Sequence, residues 1–458
     1  MRPCTCHFFV VPLQPEMKRV SSFIVSLLLV SIAASAQNET QLTNLPTVYI
    51  TTRNGQEPYD KEHEIRCRVV ILNGGERLID SAAIRERGNY SRGFPKKPYH
   101  LRFDTKHSVL GSPASAKRWT LINNYGDKTL FRNLLAFNLS RRLEMPYTPF
   151  GTPVDVVLNG DYKGCYQLCD QVHVHKNRVE VDPGGFFIEA DAYADDEDLW
   201  FTSNHGTPVS IHYPDADTIS SAQYESIVSV FNNLEKSSHP NLDHETFLRH
   251  FLVGEISGNT DTYWSTYFYK RSTSDTVFTG PVWDFDIAFE NDYRTYPICS
   301  RSDYIYRTVG SCTGDMRRFA DNVILKSPGK ERLEALYAHY RDNGSLSAEA
   351  IIAVIDSLED LISQSASRNF QRWPILNQSV HMNPRAGGSY AKEVQWVREY
   401  IAARIPWMDA KLHYTPSSEA IESPMTNDHR PTTKTLRNGQ FLIIRDGKTY
   451  TLIGQKVK

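Results

Sequence analysis

The chain contains no Gly-x-x-x-x-Gly-Lys-Ser/Thr loop, no Gly-x-Gly-x-x-Gly between a strand and a helix, no Gly-x-Ser-x-Gly elbow and no His-Glu-x-x-His pair. Those absences remove ordinary P-loop and dinucleotide sites, the serine-hydrolase elbow and the zincin centre. No Cys-x-x-Cys pair occurs either, which removes zinc ribbons and thioredoxin-like redox sites. An excess of one charge is also missing: 51 Lys and Arg face 53 Asp and Glu, a formal net charge of −2. Nucleic-acid binders draw affinity from a basic excess that displaces counterions from phosphates, so no nucleic-acid partner is expected. Beyond the N-terminus no stretch approaches the ~18 uninterrupted apolar residues of a spanning helix, so no transmembrane span is expected in the mature chain. What remains is ordinary globular composition over 458 residues, 40% hydrophobic, 23% charged and 11% aromatic. That length suits about two or three domain-sized units.

The N-terminus reads as an address. Residues 17–37, MKRVSSFIVSLLLVSIAASAQ, place Lys18 and Arg19 before an apolar run over 23–34 and a small-residue cleavage site at Ala34-Ser35-Ala36. This is the three-part secretory pattern, with translation expected to start at Met17 and the signal to end at residue 36. A secreted or cell-surface, extracytoplasmic protein is therefore expected. Beyond the signal lie Cys67, Cys165, Cys169, Cys299 and Cys312. An odd number leaves at least one thiol outside any intramolecular bridge. Cys299 and Cys312 flank a short polar stretch that a bridge would close. Cys165 and Cys169, on one extended strand, would stand ~13 Å apart and could not bridge each other. A structural role is expected for the cysteines.

A polar leader over 37–46 precedes strand-like runs at 47–51, 64–72, 81–85, 98–103 and 119–122. Asp127 stands where it would cap a helix over about 128–143, with Leu130, Leu134, Phe137 and Leu143 at helical spacing. Runs at 154–158 and 163–174 flank Asn159-Gly160-Asp161, and Asn-Gly between such runs is the strongest short-range hairpin signal. GFFIEA at 185–190 reads as a further strand. The second half turns to helical periodicity over 222–235, 243–257, 330–343, 348–367 and 391–412, interrupted by β-like runs at 263–270 and 277–286. The expected class is α+β, strand-rich first and helix-rich after. A polar, Pro-containing linker over 415–434 leads to a small β module of two or three strands at 435–458.

Chemistry concentrates in VWDFDIAF at 282–289. In a strand-like run Asp284 and Asp286 point to one face, and two adjacent carboxylates repel unless a cation lies between them. Oxygen-only ligation suits Mg2+ or Mn2+. Antiparallel pairing of the two β-like runs would bring Asp261, in Asn259-Thr260-Asp261, beside Asp284 and so set a base near a metal. A lone acid is more often a turn or cap residue. Two acids on one face, flanked by Trp283 and Phe285, favour chemistry. A basic stretch, Arg85-Glu86-Arg87-Gly88-Asn89 followed by Lys96 and Lys97, suits phosphate oxygens, although such runs are usually solvated surface. His173 and His175 share a strand face but lack a third ligand, which favours surface histidines.

Taken in order, IRERGNYSRGFPKKPYHLRF, WTLINNYGDKTLFRN, VDVVLNGDYKGCYQLCDQVHV, GGFFIEAD, NTDTYWSTYFYK and GPVWDFDIAFEN resemble the CotH kinase family, the spore-coat-protein-H-like atypical secreted kinases. The resemblance runs from about residue 47 to about residue 414. It implies a two-lobed, divergent protein-kinase-like fold that uses Mg2+ or Mn2+ to transfer the γ-phosphate of ATP to Ser or Thr of secreted or surface proteins. It implies Asp261 as the catalytic acceptor of the hydroxyl proton, Asp284 as a metal ligand with Asp286 as a second, and Lys97 as the phosphate-binding lysine, with Lys96 the alternate. Asp170 would orient that lysine, and Arg87 and Asn89 keep an Arg-Gly-Asn core at the nucleotide. These roles meet the needs of phosphoryl transfer: positioning, charge neutralisation and a nearby base.

The chain departs from the family pattern at Glu86 and Glu290, each in place of a glycine, at Arg92 in place of a tryptophan, and at Asp170 in place of a glutamate. Thr266 stands where ordinary kinases hold a second metal with Asn. These departures bear on nucleotide affinity and keep two further readings open. One is a non-catalytic surface adhesin or glycan-binding protein that retains the fold. The other is a hydrolase using Asp261 and Asp284 as an acid–base pair. The C-terminal module resembles the surface-sorting tails of exported proteins in some gram-negative bacteria, which implies outer-surface attachment.

Overall fold

The computed structural model describes residues 39–308, 310 and 312–416, together with strand residues within 433–457. The expected signal and most of the expected linker lie outside the described residues. Seven strands close a barrel in the order β1-β2-β3-β4-β5-β7-β6. They are β1 (Thr47–Thr52), β2 (Ile65–Asn73), β3 (Glu76–Glu86), β4 (Tyr99–His107), β5 (Ala116–Ile122), β6 (Gly151–Leu158) and β7 (Asp161–Asp170). Parallel pairing of β1 with β6, Thr47 beside Asp155 and Ile50 beside Leu158, completes the ring and leaves no open sheet edge. Alternate residues fill its interior: Val48 and Ile50, Val69 and Ile71, Leu101 and Phe103, Val154 and Val156, all at most 3% exposed. The Asn159-Gly160 turn joins β6 to β7 with φ of 52° and 85°, the left-handed values a two-residue hairpin requires. Residues 43–45 of the expected leader are docked on this domain, since Leu45 is buried, Thr43 Oγ1 donates to Asp155 at 2.7 Å and Asn44 Nδ2 donates to the Leu361 carbonyl.

A second sheet has the order β12-β11-β8-β10-β9, built from β8 (Phe186–Asp191), β9 (Trp200–Thr202), β10 (Pro208–Tyr213), β11 (Ser265–Lys270) and β12 (Val277–Thr279). Helices dominate the C-terminal part: α1 (Arg132–Arg142), α2 (Ser221–Leu234), α3 (His244–Ser257), α4 (Ile305–Thr308), α5 (Met316–Ile324), α6 (Gly329–Asp342), α7 (Ala348–Arg372) and α8 (Tyr390–Lys411). The class is mixed α+β, strand-rich in its N-terminal region. Four antiparallel strands follow at Thr433–Arg437, Gln440–Arg445, Lys448–Thr451 and Lys456–Val457, more than the two or three expected. Among the described residues no helix is long and apolar enough to cross a membrane, and no disulfide joins the five cysteines. Cys165 and Cys169 are buried, and Cys312 Sγ lies 3.5 Å from the Tyr306 carbonyl.

Two local expectations need correction. The helix expected at 128–143 begins only at Arg132. Asp127 accepts from the Thr129 amide at 2.9 Å, the Thr129 hydroxyl at 2.6 Å and the Arg132 amide at 2.8 Å. This local bonding fixes a turn ahead of the helix. The strand expected at 277–286 ends at Thr279, because Gly280 takes φ 119° and Asp284 takes φ 61°, values a strand does not accommodate. Asp284 and Asp286 therefore do not share a strand face.

Helix α3 ends at Gly258, whose φ of 62° makes the left-handed cap. Added Cβ atoms there would stand 2.5 Å from the Tyr400 hydroxyl. One turn earlier, Glu255 is buried and accepts from Arg404 Nη2 at 2.8 Å, the Ile305 amide at 2.9 Å and the Tyr306 amide at 3.2 Å. Arg404, fully buried, also donates Nε to the Glu255 carbonyl and stacks 4.0 Å from the Trp407 ring centre. This pair ties α3, which leads into Asp261, to α8. Removing one partner strands a buried charge, so Arg404→Met is expected to cost about 3–5 kcal/mol, read as the shift of the chemical-denaturation midpoint. A loss no larger than that of an exposed Arg→Met control would refute this role.

Candidate active site

The segment that carries the acids has no sheet ladder, and its backbone groups are satisfied by side chains instead. Asn133 Oδ1, on α1, accepts from the Phe285 amide at 2.8 Å. Asn259 Nδ2 donates to the Asp284 carbonyl at 3.1 Å. Asn291 Nδ2 donates to the Asp286 carbonyl at 2.7 Å, and Arg132 Nε to the Ala288 carbonyl at 3.0 Å. Phe285 is buried, and Trp283 stacks on Phe137 with ring centres 6.1 Å apart. The loop that follows α3 is tied in through the same Asn259, whose carbonyl accepts from the Thr262 hydroxyl at 2.8 Å. The antiparallel pair β11–β12, with Phe268 opposite Thr279, then brings the two acidic segments alongside.

The result is a crowd of carboxylates. Burial raises Asp261 to about 6, Arg294 opposing the shift and Asp284 adding to it. Asp284 keeps solvent contact, yet the surrounding protein raises its carboxyl above the ordinary range; Arg87 opposes and Glu189 reinforces. Asp286 is pushed well above the ordinary range by burial, then by Asp284, Asp127 and Asp261. Asp284 thus acts electrostatically on both Asp261 and Asp286. Among the described residues no three His, Cys, Asp or Glu side chains form a ready-made metal cage.

The basic residues divide. Arg87 belongs to the site, facing Asp284 with its guanidinium 5.9 Å from the Trp283 ring centre. Asn89 is exposed in the turn that follows. Lys97 donates Nζ to the Arg92 carbonyl at 2.7 Å. Lys96 is buried and donates to the Cys165 carbonyl at 2.6 Å and Asn369 Oδ1 at 2.8 Å. Burial pulls its ammonium down to about 7. It serves the packing of α7 on β7. The expected pairing of Asp170 with Lys97 is absent: fully buried Asp170 meets Arg178 Nη2 at 2.8 Å, the Tyr147 hydroxyl at 2.9 Å and the Phe150 amide at 3.0 Å. Arg178, stacked 4.8 Å from the Trp119 ring centre, is the nearer cation. His173 is part-buried with Nδ1 on the Gln171 carbonyl at 2.9 Å, so it is not simply a surface residue.

Four participants escape the sequence reading: Asn133, Asn259, Asn291 and Arg294. Asn259 has a signal in its place two residues before Asp261; the others are far from either acid segment or carry no motif. Glu189, which reinforces the negative field at Asp284, accepts from His212 Nε2 at 2.7 Å and from the Ser265 hydroxyl.

The family description "CotH kinase protein" matches residues 84–408, about two thirds of the sequence or more, and the chain belongs to this family. No curated protein matches the chain. The matched span begins inside β3, although β1 and β2 complete the same barrel.

Because Asp284 is one cause of the raised Asp261 carboxyl, Asp284→Asn is expected to lower the Asp261 midpoint from about 6 toward its ordinary value of 3.8. Carboxyl-detected NMR titration of both forms checks this. An unmoved midpoint would show that the two acids are not electrostatic neighbours.

Proposed function

We propose that this CotH-family chain is an exported, divalent-metal-dependent protein kinase of two-lobed, kinase-like form. It moves the γ-phosphoryl group of ATP to Ser or Thr hydroxyls of secreted or surface proteins. The observation that carries this reading is the electrostatic influence of Asp284 on both Asp261 and Asp286, carboxyls from two chain segments that the β11–β12 pair brings alongside. Such a set suits a hard cation. Mg2+ characteristically takes one or two carboxylates and completes its shell with substrate phosphates and water, so Asp284 and Asp286 fit this role without a full protein cage. When bound, the metal supplies neutralisation of phosphate charge.

The chain's own residues account for the rest. A carboxyl that titrates near 6 is largely ionised at neutral pH and still basic enough to accept a proton, which suits Asp261 as the base. As the acceptor oxygen bonds to γ-phosphorus, its proton passes to Asp261. The bond from γ-phosphorus to the bridging oxygen breaks, and ADP departs with that electron pair. Arg87, beside Asp284, is placed to donate to phosphate oxygens. Lys97 joins them by leaving the Arg92 carbonyl. Residues 17–37 support export, and the C-terminal β module supports attachment at the outer surface.

The non-catalytic adhesin or glycan-binding reading draws on one observation, that Asp170 is engaged by Arg178 rather than by Lys97. Labelled ATP with Mn2+ separates the two. Transfer of label to the chain itself or to an exported protein is expected from wild type, with losses of at least about a hundredfold in Asp261→Asn and Asp284→Ala. Absence of both transfer and nucleotide binding in wild type would favour the adhesin.

A further inference from the structure

Beyond the acidic turn, Asp292 is fully buried and holds Arg294 by several bonds. The Arg294 amide donates to Oδ1 at 2.9 Å, Nε reaches both carboxylate oxygens at 3.0 Å, and Nη2 meets Oδ2 at 2.7 Å. The same Nη2 extends to Asp261 Oδ1 at 3.3 Å. The backbone here is fixed as well: Arg301 donates Nη2 to the Arg294 carbonyl at 2.7 Å and Nε to the Thr295 carbonyl at 2.8 Å. The guanidinium is therefore located from behind by a buried acid and a second arginine before it touches Asp261.

Asp261 needs such a neighbour. Its side chain is 38% exposed, so close packing alone does not fix its rotamer. Asp284 and Asp292 act on it with like charge, and Arg294 is the cation that meets it. A base for proton transfer must stay within hydrogen-bond reach of the acceptor hydroxyl, and a misplacement of ~1 Å can lower a rate about a hundredfold.

We propose that Arg294 is the positioning residue for Asp261, with Asp292 as its anchor: the chain Asp292–Arg294–Asp261 holds the base in place against the surrounding carboxylates. This role rests on the kinase reading above. The planar fork of arginine grips Asp292 along one side and presents one nitrogen to Asp261, which a lysine ammonium can reproduce only in charge.

The test is steady-state kinetics on the full chain with ATP and Mn2+, for wild type, Asp261→Asn, Arg294→Met and Arg294→Lys, with nucleotide affinity and thermal midpoint measured on the same samples. Arg294→Met is expected to lower kcat by about ten- to a hundredfold while KM and Kd for ATP stay within about twofold; its thermal midpoint falls because Asp292 is left as an unpaired buried charge, so all rates are taken below that midpoint. Arg294→Lys should recover part of the rate. An unchanged kcat in Arg294→Met beside an inactive Asp261→Asn overturns the proposal. So does a parallel fall in nucleotide binding and rate, which would make Arg294 part of the nucleotide site. A wild type that binds nucleotide but transfers no phosphate refutes the kinase reading and takes the positioning role with it.

Discussion

Asp261, Asp284 and Asp286 come from two chain segments, and Asp284 raises the carboxyl pKa of both others. Like charges brought together away from bulk water repel. Holding three in one place therefore needs a scaffold that does not yield. Here the β11–β12 pair joins the two acidic segments, and α1 supplies Asn133 to the Phe285 amide. The Glu255–Arg404 pair ties the helix that leads into Asp261 to α8.

Neutral side chains do the local holding. Asn133, Asn259 and Asn291 each bond a backbone group of the acidic turn, which holds the segment in its irregular course where no sheet ladder does. Amides suit this task because they donate and accept without adding charge to a site already crowded with it. Positive charge enters through Arg132 at the Ala288 carbonyl, Arg87 at Asp284 and Arg294 at Asp261. Arg87 and Arg294 thus act on different acids.

Much of this was legible from residues. Asn159-Gly160 announced its hairpin because two consecutive left-handed residues have few other uses. The helices read from 3.6-residue periodicity at 243–257 and 348–367 fell within a few residues of their observed bounds. The acids themselves were found by density: Trp-Asp-Phe-Asp is an unusual concentration of charge in an apolar setting. What periodicity could not show was the backbone at Asp284, since a positive φ at a non-glycine residue is dictated by tertiary tethers and leaves no sequence pattern. Asp170 misled for a related reason. Its partner Arg178 lies eight residues on, on a connecting segment, whereas the family analogy directed attention to a lysine. Arg294 was invisible because an Asp-x-Arg in a loop is common, and only the fold reveals that Asp292 is buried.

The proposed kinase activity needs Asp284 and Asp286 to take up a divalent cation. Mn2+ binding followed by electron paramagnetic resonance, with and without ATP, tests that most directly. Wild type is expected to bind Mn2+ more tightly with ATP present, and Asp284→Asn to lose most of that binding while keeping its fold. Equal Mn2+ binding by the two proteins in the presence of ATP would contradict the account.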